Sequence, residues 1–391
     1  MDASVNRIAS SAEERALLIG LRMPGTDPAA VEYSMEELKL LVKTAGGVVC
    51  DSVMVRREAI DAAYIIGRGY IPKLQDKIAE LRLKLIVFDM NNLRPAQIRN
   101  LEDILKCRVV GRNEIILDIF ARRARSAEAK IQVELAQLKY ILPRLKGLGG
   151  VLSRLGGGVG TRGPGEKMLE TDRRHIQNRI DTLSKKLKKQ QAHRARTRSG
   201  RSGQLLGAVV GYTNAGKSTL INHLAKDDLF VEDRLFATLD SYTRSVYLDE
   251  GRKTLLTDTV GFIRNLPANL IESFRSTLED IQNADYIVHV VDISAHDLDT
   301  NIRTVNDELN ALDCLRKPII LFFNKTDLLS GDQMENTVRL RYPGAITGSV
   351  HARKGMDDLK KRIAEFAEKN RDLPVPDSGN EENDHMGASD N

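Results

Sequence analysis

The sequence predicts an α/β chain in which two sheet-building regions are separated by a long helical arm. Three observations carry that expectation. Short apolar runs alternate with amphipathic helical patterns over residues 1–112, helical periodicity then dominates to about residue 202, and strand–helix alternation returns over residues 203–370. With 391 residues two or three domains are expected, and 41% hydrophobic content is enough to give each a core.

In the first region ALLIGL and GVVCDSVMV read as strands on either side of the helical MEELKLLVKTAG, with Ser34 and Glu37 spaced as a capping box. The apolar AAYIIG, the helix IPKLQDKIAEL, the strand KLIVFD, the helix PAQIRNLEDIL and the strand CRVV complete a small α/β domain.

Residues 113–202 carry two helical stretches, ILDIFARRARSAEAKIQVELAQLKYILPRL and EKMLETDRRHIQNRIDTLSKKLKKQ. Apolar residues recur at three- and four-residue spacing, as at Ile131, Leu135, Leu138 and Leu142, which predicts an antiparallel hairpin. A helix of about 30 residues is roughly 45 Å long, so the pair should project as an arm. The segment joining the helices holds nine glycines between Gly147 and Gly165. Its G-x-G-x-x-G at Gly158, Gly160 and Gly163 follows no adequate strand and sits in no βαβ unit, which excludes a dinucleotide site. A solvent linker needs no long helical mount, so this tip, with Arg154, Arg162 and Lys167, is expected to follow an irregular RNA surface.

Charge is unevenly spread. From Arg173 to Arg201 eleven Lys or Arg stand against one acid, Asp181, which points to a polyanion partner, with a solvated helix face as the alternative. The end of the chain, residues 371–391, is expected to be a disordered tail, since six acids and no Lys or Arg follow from Asp372 onward. Cys50, Cys107 and Cys314 form no C-x-x-C pair, which fits a reducing compartment and no structural zinc. No signal-type N-terminus and no apolar run near about 18 residues is present, so no transmembrane segment is expected and the cytoplasm is the expected location.

The third region carries the chemistry. The apolar LLGAVV leads into Gly211, Tyr212, Thr213, Asn214, Ala215, Gly216, Lys217, Ser218 and Thr219, and the helical pattern STLINHLA follows, which is the strand–loop–helix context of a phosphate loop. Gly211 and Gly216 let the backbone curl so that N–H groups and the helix N-terminus converge on phosphates. Lys217 is expected to reach the β- and γ-phosphates and Ser218 to take one position on Mg²⁺. The strand TLLT ends in Asp258, Thr259, Val260 and Gly261. Asp258 is placed to hold Mg²⁺ through water, and the Gly261 N–H to sense the γ-phosphate.

A third strand, IILFF, ends in Asn324, Lys325, Thr326 and Asp327. A carboxylate at Asp327 accepts from the N1–H and 2-amino group of guanine, whereas adenine offers neither donor; such a polar site discriminates by about 10⁴ to 10⁵. Lys325 is expected to lay its stem along the base. The three motifs fall at strand ends on one sheet edge, where open α/β folds bind ligands, so GTP and GDP with Mg²⁺ are the expected ligands.

The strings LDIFARRARSAEAKIQVELAQL, GGGVGTRGPGEKMLETDRR, GYTNAGKSTL, LFATLD and DTVGFIRNLP together resemble the HflX family of ribosome-associated GTPases, over about Ala16 to Phe366. The resemblance implies an N-terminal HflX domain with a helical arm, a Ras-like GTPase domain that hydrolyses GTP, and association with the large ribosomal subunit and its rRNA, in ribosome splitting or rescue. It further implies that Phe236, Ala237, Thr238, Leu239 and Asp240 form the first switch, with Thr238 as the second protein ligand of Mg²⁺ beside Ser218, and that Ser349, Val350 and His351 lie beneath the guanine. The catalytic set is then Lys217, Thr238 and Gly261. Ser241 and Tyr242 replace the family's usual Pro and Thr, Lys167 and Met168 its usual Thr-Gln, Tyr70 a common Lys, and Val350 the usual Ala; the extra C-terminal domain of some members is not expected here.

Phe262 stands where Ras-like enzymes place the glutamine that orients the attacking water, so slow intrinsic hydrolysis, assisted by the ribosome, is expected. No DNA partner is expected, the chain is expected to act as a monomer, and peripheral association with a membrane is left open. An assembly GTPase for immature large subunits and a non-enzymatic RNA-binding anti-association factor are the alternatives. The base assignment has a direct test. Asp327→Asn should exchange guanine for xanthine preference in competition binding, because the amide donates to the 2-oxo group; wild type that binds ATP as tightly as GTP would contradict the assignment.

Overall fold

The computed structural model describes residues 14–145, 164–199, 205–226, 235–236, 238–248, 252–264 and 275–371. The first region forms a four-stranded parallel sheet of β1 (Glu14–Arg22), β2 (Gly47–Arg56), β3 (Leu85–Phe88) and β4 (Arg108–Gly111), in the order β2-β1-β3-β4. Its central strands are buried and apolar over Ala16–Ile19 and Leu85–Phe88 because both faces are covered there. Leu18 and Val87 pack on one face with residues of α1 (Pro28–Thr44) and α4 (Arg112–Arg123). Leu17 and Ile86 pack on the other with α2 (Ile71–Leu81) and α3 (Pro95–Leu105).

Two local expectations are corrected here. Helix α1 begins at Pro28, and the Asp27 side chain caps it by accepting from the Ala29 N–H at 3.1 Å. Proline fits the first helical position and aspartate is a strong cap, so the helix starts ahead of Ser34, and the Ser34–Glu37 capping box does not form. The apolar AAYIIG builds no strand; it closes on itself through an isolated antiparallel bridge between Asp61 and Ile65.

The first arm helix is broken. Helix α4 ends at Arg123 and packs Ile116, Ile119 and Phe120 into the core of the first sheet, and α5 (Ala127–Leu145) starts afresh. The break is built by Ser126, whose Oγ accepts from the Ala129 N–H at 3.0 Å and caps α5. Helix α5 packs against α6 (Pro164–Ser199), where Ile131, Leu135, Leu138 and Leu142 join Ile176, Ile180, Leu183 and Leu187 in one apolar seam. A bidentate pair of Arg179 with Glu134, at 2.7 and 3.0 Å, ties the helices at the surface. The glycine-rich tip, residues 146–163, and the acidic tail, residues 372–391, lie outside the described residues.

The third region is a six-stranded sheet of β5 (Leu206–Gly211), β6 (Thr243–Tyr247), β7 (Lys253–Asp258), β8 (Tyr286–Asp292), β9 (Ile319–Asn324) and β10 (Ile346–Thr347). The order is β10-β9-β8-β5-β7-β6, parallel except for the edge strand β6. Helices α7 (Lys217–Ala225) and α10 (Met356–Arg371) pack on one face; α8 (Arg275–Gln282) and α9 (Leu298–Ala311) pack on the other. Because β5, β7 and β9 are parallel, their C-terminal ends bring all three sequence motifs to one edge. The core of the first sheet also continues into this unit, taking in Tyr212, Leu235, Phe236, Leu239, Val260 and Ile263. Phe120 of α4 meets Phe236 edge to face at 4.7 Å.

Candidate active site

At that edge lies a cleft of about 420 Å³ lined by Thr213, Asn214, Gly216, Lys217, Ser218 and Thr219 on one side and Asn324, Lys325, Asp327, Ser349, Val350 and His351 on the other. Phe236, Thr238, Thr259 and Gly261 close it. Leu328, which the sequence reading did not single out, also lines it. The loop geometry is set by glycine at two points. Gly216 has φ +95, a left-handed conformation, and a Cβ there would come within 2.3 Å of the Asn324 Nδ2. At Gly261 a Cβ would stand 2.9 Å from the Thr213 Cα and 3.0 Å from the Lys217 Nζ, so only glycine lets the main chain close on the phosphate loop.

Asn324 holds the two walls of the cleft together. Its Nδ2 donates to the Ala215 carbonyl at 2.9 Å and its Oδ1 accepts from the Val350 N–H at 3.0 Å. The base-reading loop and the phosphate loop are thus fixed to each other by one buried amide. Lys325 is in the left-handed region, φ 69, and its Nζ pairs with Asp292 at 2.7 Å. Asp292 was missed in the sequence, although it ends the apolar run YIVHVV in the same way that Asp258 ends its strand.

Lys217 is buried, and its Nζ donates to the carbonyls of Gly211 and Tyr212 at 3.1 and 3.0 Å. Burial pushes its pKa down to about 8, against the opposing charge of Asp258. Asp258 is itself buried, and burial raises its pKa despite hydrogen bonds from Ser218 and Thr238 and the charge of Lys217.

A metal can be tested against these oxygens. The hydroxyls of Ser218 and Thr238 lie 2.7 Å apart, and both donate to Asp258 Oδ2, at 2.6 and 2.8 Å. Neighbouring ligands of an octahedral Mg²⁺ with bonds of about 2.0–2.1 Å are separated by roughly 2.9 Å. Among the described residues the buried Asp258 Oδ1 has no hydrogen-bond partner, and it could accept from a metal-bound water. Two hydroxyls and one carboxylate with a spare acceptor therefore fit Mg²⁺, and Ser218, Thr238 and Asp258 are the residues that could hold it.

Not every residue singled out in the sequence faces the cleft. Gly211, Ala215 and Val260 lie behind its lining, Thr326 is bonded through its N–H to the Gly348 carbonyl, and Ala237 is outside the described residues. Tyr212 turns its hydroxyl to Glu37 of α1 and accepts from the Arg264 N–H at 3.0 Å. Leu239 is buried in the core shared with the first sheet, and Asp240 bonds to the start of α5. Phe262 is buried with Ala208, Val210 and Leu278 on the far side of β5 and does not line the cleft.

Strand order, phosphate loop and base-reading loop make this chain a P-loop GTPase. Three successive segments match described families: residues 32–121 the "GTP-binding GTPase N-terminal" region, residues 123–201 the "GTP-binding GTPase Middle Region", and residues 207–325 the "50S ribosome-binding GTPase". The chain is 48% identical over 319 residues to the GTPase HflX of Caldanaerobacter subterraneus subsp. tengcongensis, covering 81% of this chain and 73% of that one. It is 40% identical over 297 residues to the GTPase HflX of Escherichia coli K12, covering 75% and 70%. A solved structure of a protein called SsGBP with GDP shares the fold, at 24% identity, coverage of 91% and 99% and a TM-score of 0.51. The chain belongs to the HflX family, and it is a GTP hydrolase. Among the described residues no helix is long and apolar enough to cross a membrane.

The Lys217 environment gives a pH test. A phosphate anion raises the pKa of this lysine from about 8, so nucleotide binding takes up protons near and above that pH. Affinity should be flat below it and fall as pH rises through it. Calorimetry in two buffers of different ionisation enthalpy measures the uptake directly; none at about pH 8.5 would contradict the assignment.

Proposed function

We propose that the chain is a GTP-driven switch that acts on the large ribosomal subunit, hydrolysing GTP slowly by itself and faster when bound there, and that it splits or rescues ribosomes. The observation that carries this reading is the direction of Phe262. Its ring is packed into the core, and at the end of the DTVG motif the cleft is lined by Gly261, which has no side chain. Nothing at that position can orient a water for attack, so turnover waits for an outside contact that orders the switch segments.

The arm supports a polyanionic partner. Arg173, Arg174, Lys185, Lys186, Lys188 and Lys189 are all exposed on α6, and none belongs to the apolar seam with α5. Such a row suits contact with the phosphates of rRNA. The family description matched by residues 207–325, a 50S ribosome-binding GTPase, supports a ribosomal partner through the nucleotide-binding unit and not through the arm.

At the nucleotide, each residue has a definite task. The loop from Gly211 to Thr219 surrounds the phosphates, with Lys217 compensating their charge; Ser218 and Thr238 would hold Mg²⁺ directly and Asp258 through water; Asp327 reads guanine, with Ser349, Val350 and His351 beneath it. Mg²⁺, when bound, neutralises charge on the β- and γ-phosphates. The Gly261 main chain and Thr238 respond to the γ-phosphate, and their order passes to the arm through the contacts described above.

Single-turnover GTP hydrolysis with and without large ribosomal subunits tests the proposal. Turnover should be slow alone and rise by about tenfold or more with subunits, as expected when partner contacts order a switch. Lys217→Ala should lose nucleotide binding in both conditions. Fast turnover without subunits would contradict ribosomal activation.

A further inference from the structure

The first switch does not merely approach the arm; it supplies part of the arm's helix cap. The Asp240 carboxylate accepts from the main-chain N–H groups of Arg125 and Ser126 at 3.1 and 3.2 Å and from the Ser126 hydroxyl. The same Ser126 Oγ accepts from the Ala129 N–H at 3.0 Å, and the Ser126 carbonyl accepts from the Lys130 N–H at 3.1 Å. A chain of hydrogen bonds therefore runs from Asp240 through the Ser126 hydroxyl to the first turn of α5. The unpaired N–H groups of that turn give a helix start its affinity for negative charge, and here a carboxylate 114 residues away in sequence from Ser126 answers it.

Asp240 is also fixed to the nucleotide end of the switch. Thr238, two residues earlier, has its hydroxyl against Ser218 and Asp258, and Leu239 between them is buried in the core that holds Phe120 and Ala129. So short a segment leaves little slack, and moving Thr238 away from Ser218 would draw Asp240 away from Ser126. We propose that Ser126 is a positioning residue of the GTP site, contributed from outside the nucleotide-binding unit: it anchors Asp240, thereby holds Thr238 beside Ser218, and leaves α5 fully capped only when the switch is closed. This rests on the reading of residues 236–240 as a γ-phosphate-sensing switch and is independent of the ribosomal partner. By linkage the effect is reciprocal, since whatever cap strength GTP confers on the arm the arm returns as preference for GTP over GDP.

The test uses the full chain with Mg²⁺ and either GDP or a non-hydrolysable GTP analogue. Hydrogen exchange of the amides of residues 125–130 should be slower with the analogue than with GDP. Ser126→Ala should abolish that difference and lower analogue affinity about fivefold, the factor that a cap of ordinary strength represents, with GDP affinity unchanged. Ser126→Thr should restore both. Ser126→Asp separates the proposal from a local capping role: aspartate caps α5 as well as serine does but sets a second carboxylate beside Asp240, so it should lose the GTP preference while α5 stays protected. Two results would overturn the proposal: equal protection of residues 125–130 in both nucleotides, or an unchanged ratio of analogue to GDP affinity in Ser126→Ala and Ser126→Asp. If wild type showed no nucleotide-dependent exchange at residues 238–240 either, the switch reading itself would fall with it.

Discussion

The structure depends on one buried charge. Arg112, at the first turn of α4, is only 2% exposed and pairs with Glu37 of α1 and with Asp89 at 3.1 Å. Burial pushes its pKa down to about 10, still well above neutrality, so it stays charged. Glu37 in turn accepts from the Tyr212 hydroxyl, and Tyr212 belongs to the phosphate loop. A buried ion pair of this sort adds little net stability, but loss of one partner costs about 3–5 kcal/mol because the other charge is left unpaired. The network therefore fixes where things sit. It gives Glu37 one place to be, and Glu37 gives Tyr212 one place to point.

From that point the contacts spread to the segments around Gly261 and Thr238. The Tyr212 hydroxyl accepts from the Arg264 N–H, three residues beyond Gly261. The Arg264 guanidinium lies over the Tyr33 ring at 4.4 Å and pairs with Asp297 at 2.8 Å, so the segment leaving Gly261 is also held against α1. Phe236 packs on Phe120, and Asp240 reaches α5. The N-terminal region thus touches the phosphate loop and the segment after Gly261 through α1, and residues 236–240 through α4 and the start of α5. Phe236, which lines the cleft, and Asp240, four residues on, are thereby in direct contact with α4 and the start of α5.

Much of this was legible in the sequence, and what was not has two causes, local competition between caps and contacts distant in sequence. Phosphate loop, DTVG and NKTD are local: glycines, a lysine and carboxylates at fixed spacing at the ends of strands. Strand and seam positions such as Leu18, Ile86, Leu135 and Leu138 were readable from periodicity because each faces one well-defined partner. The start of α1 was misplaced because two caps compete within a few residues, and Asp27 followed by Pro28 outweighs Ser34. The break at Ser126 was invisible because its second partner, Asp240, is far away in sequence. Tyr212 and Asp240 lie within recognisable motifs and Phe262 directly follows one, yet their side chains obey tertiary contacts that no motif spacing encodes.

The N-terminal region holds the phosphate loop through the hydrogen bond from Tyr212 to Glu37. Nucleotide release rates in a double-mutant cycle of Tyr212→Phe and Glu37→Gln test it most directly, since phenylalanine keeps the ring and drops only the hydroxyl. Either single change should speed release, and the double variant should be no faster than the faster single one. Rates equal to wild type in Tyr212→Phe, or fully additive effects in the double variant, would contradict it.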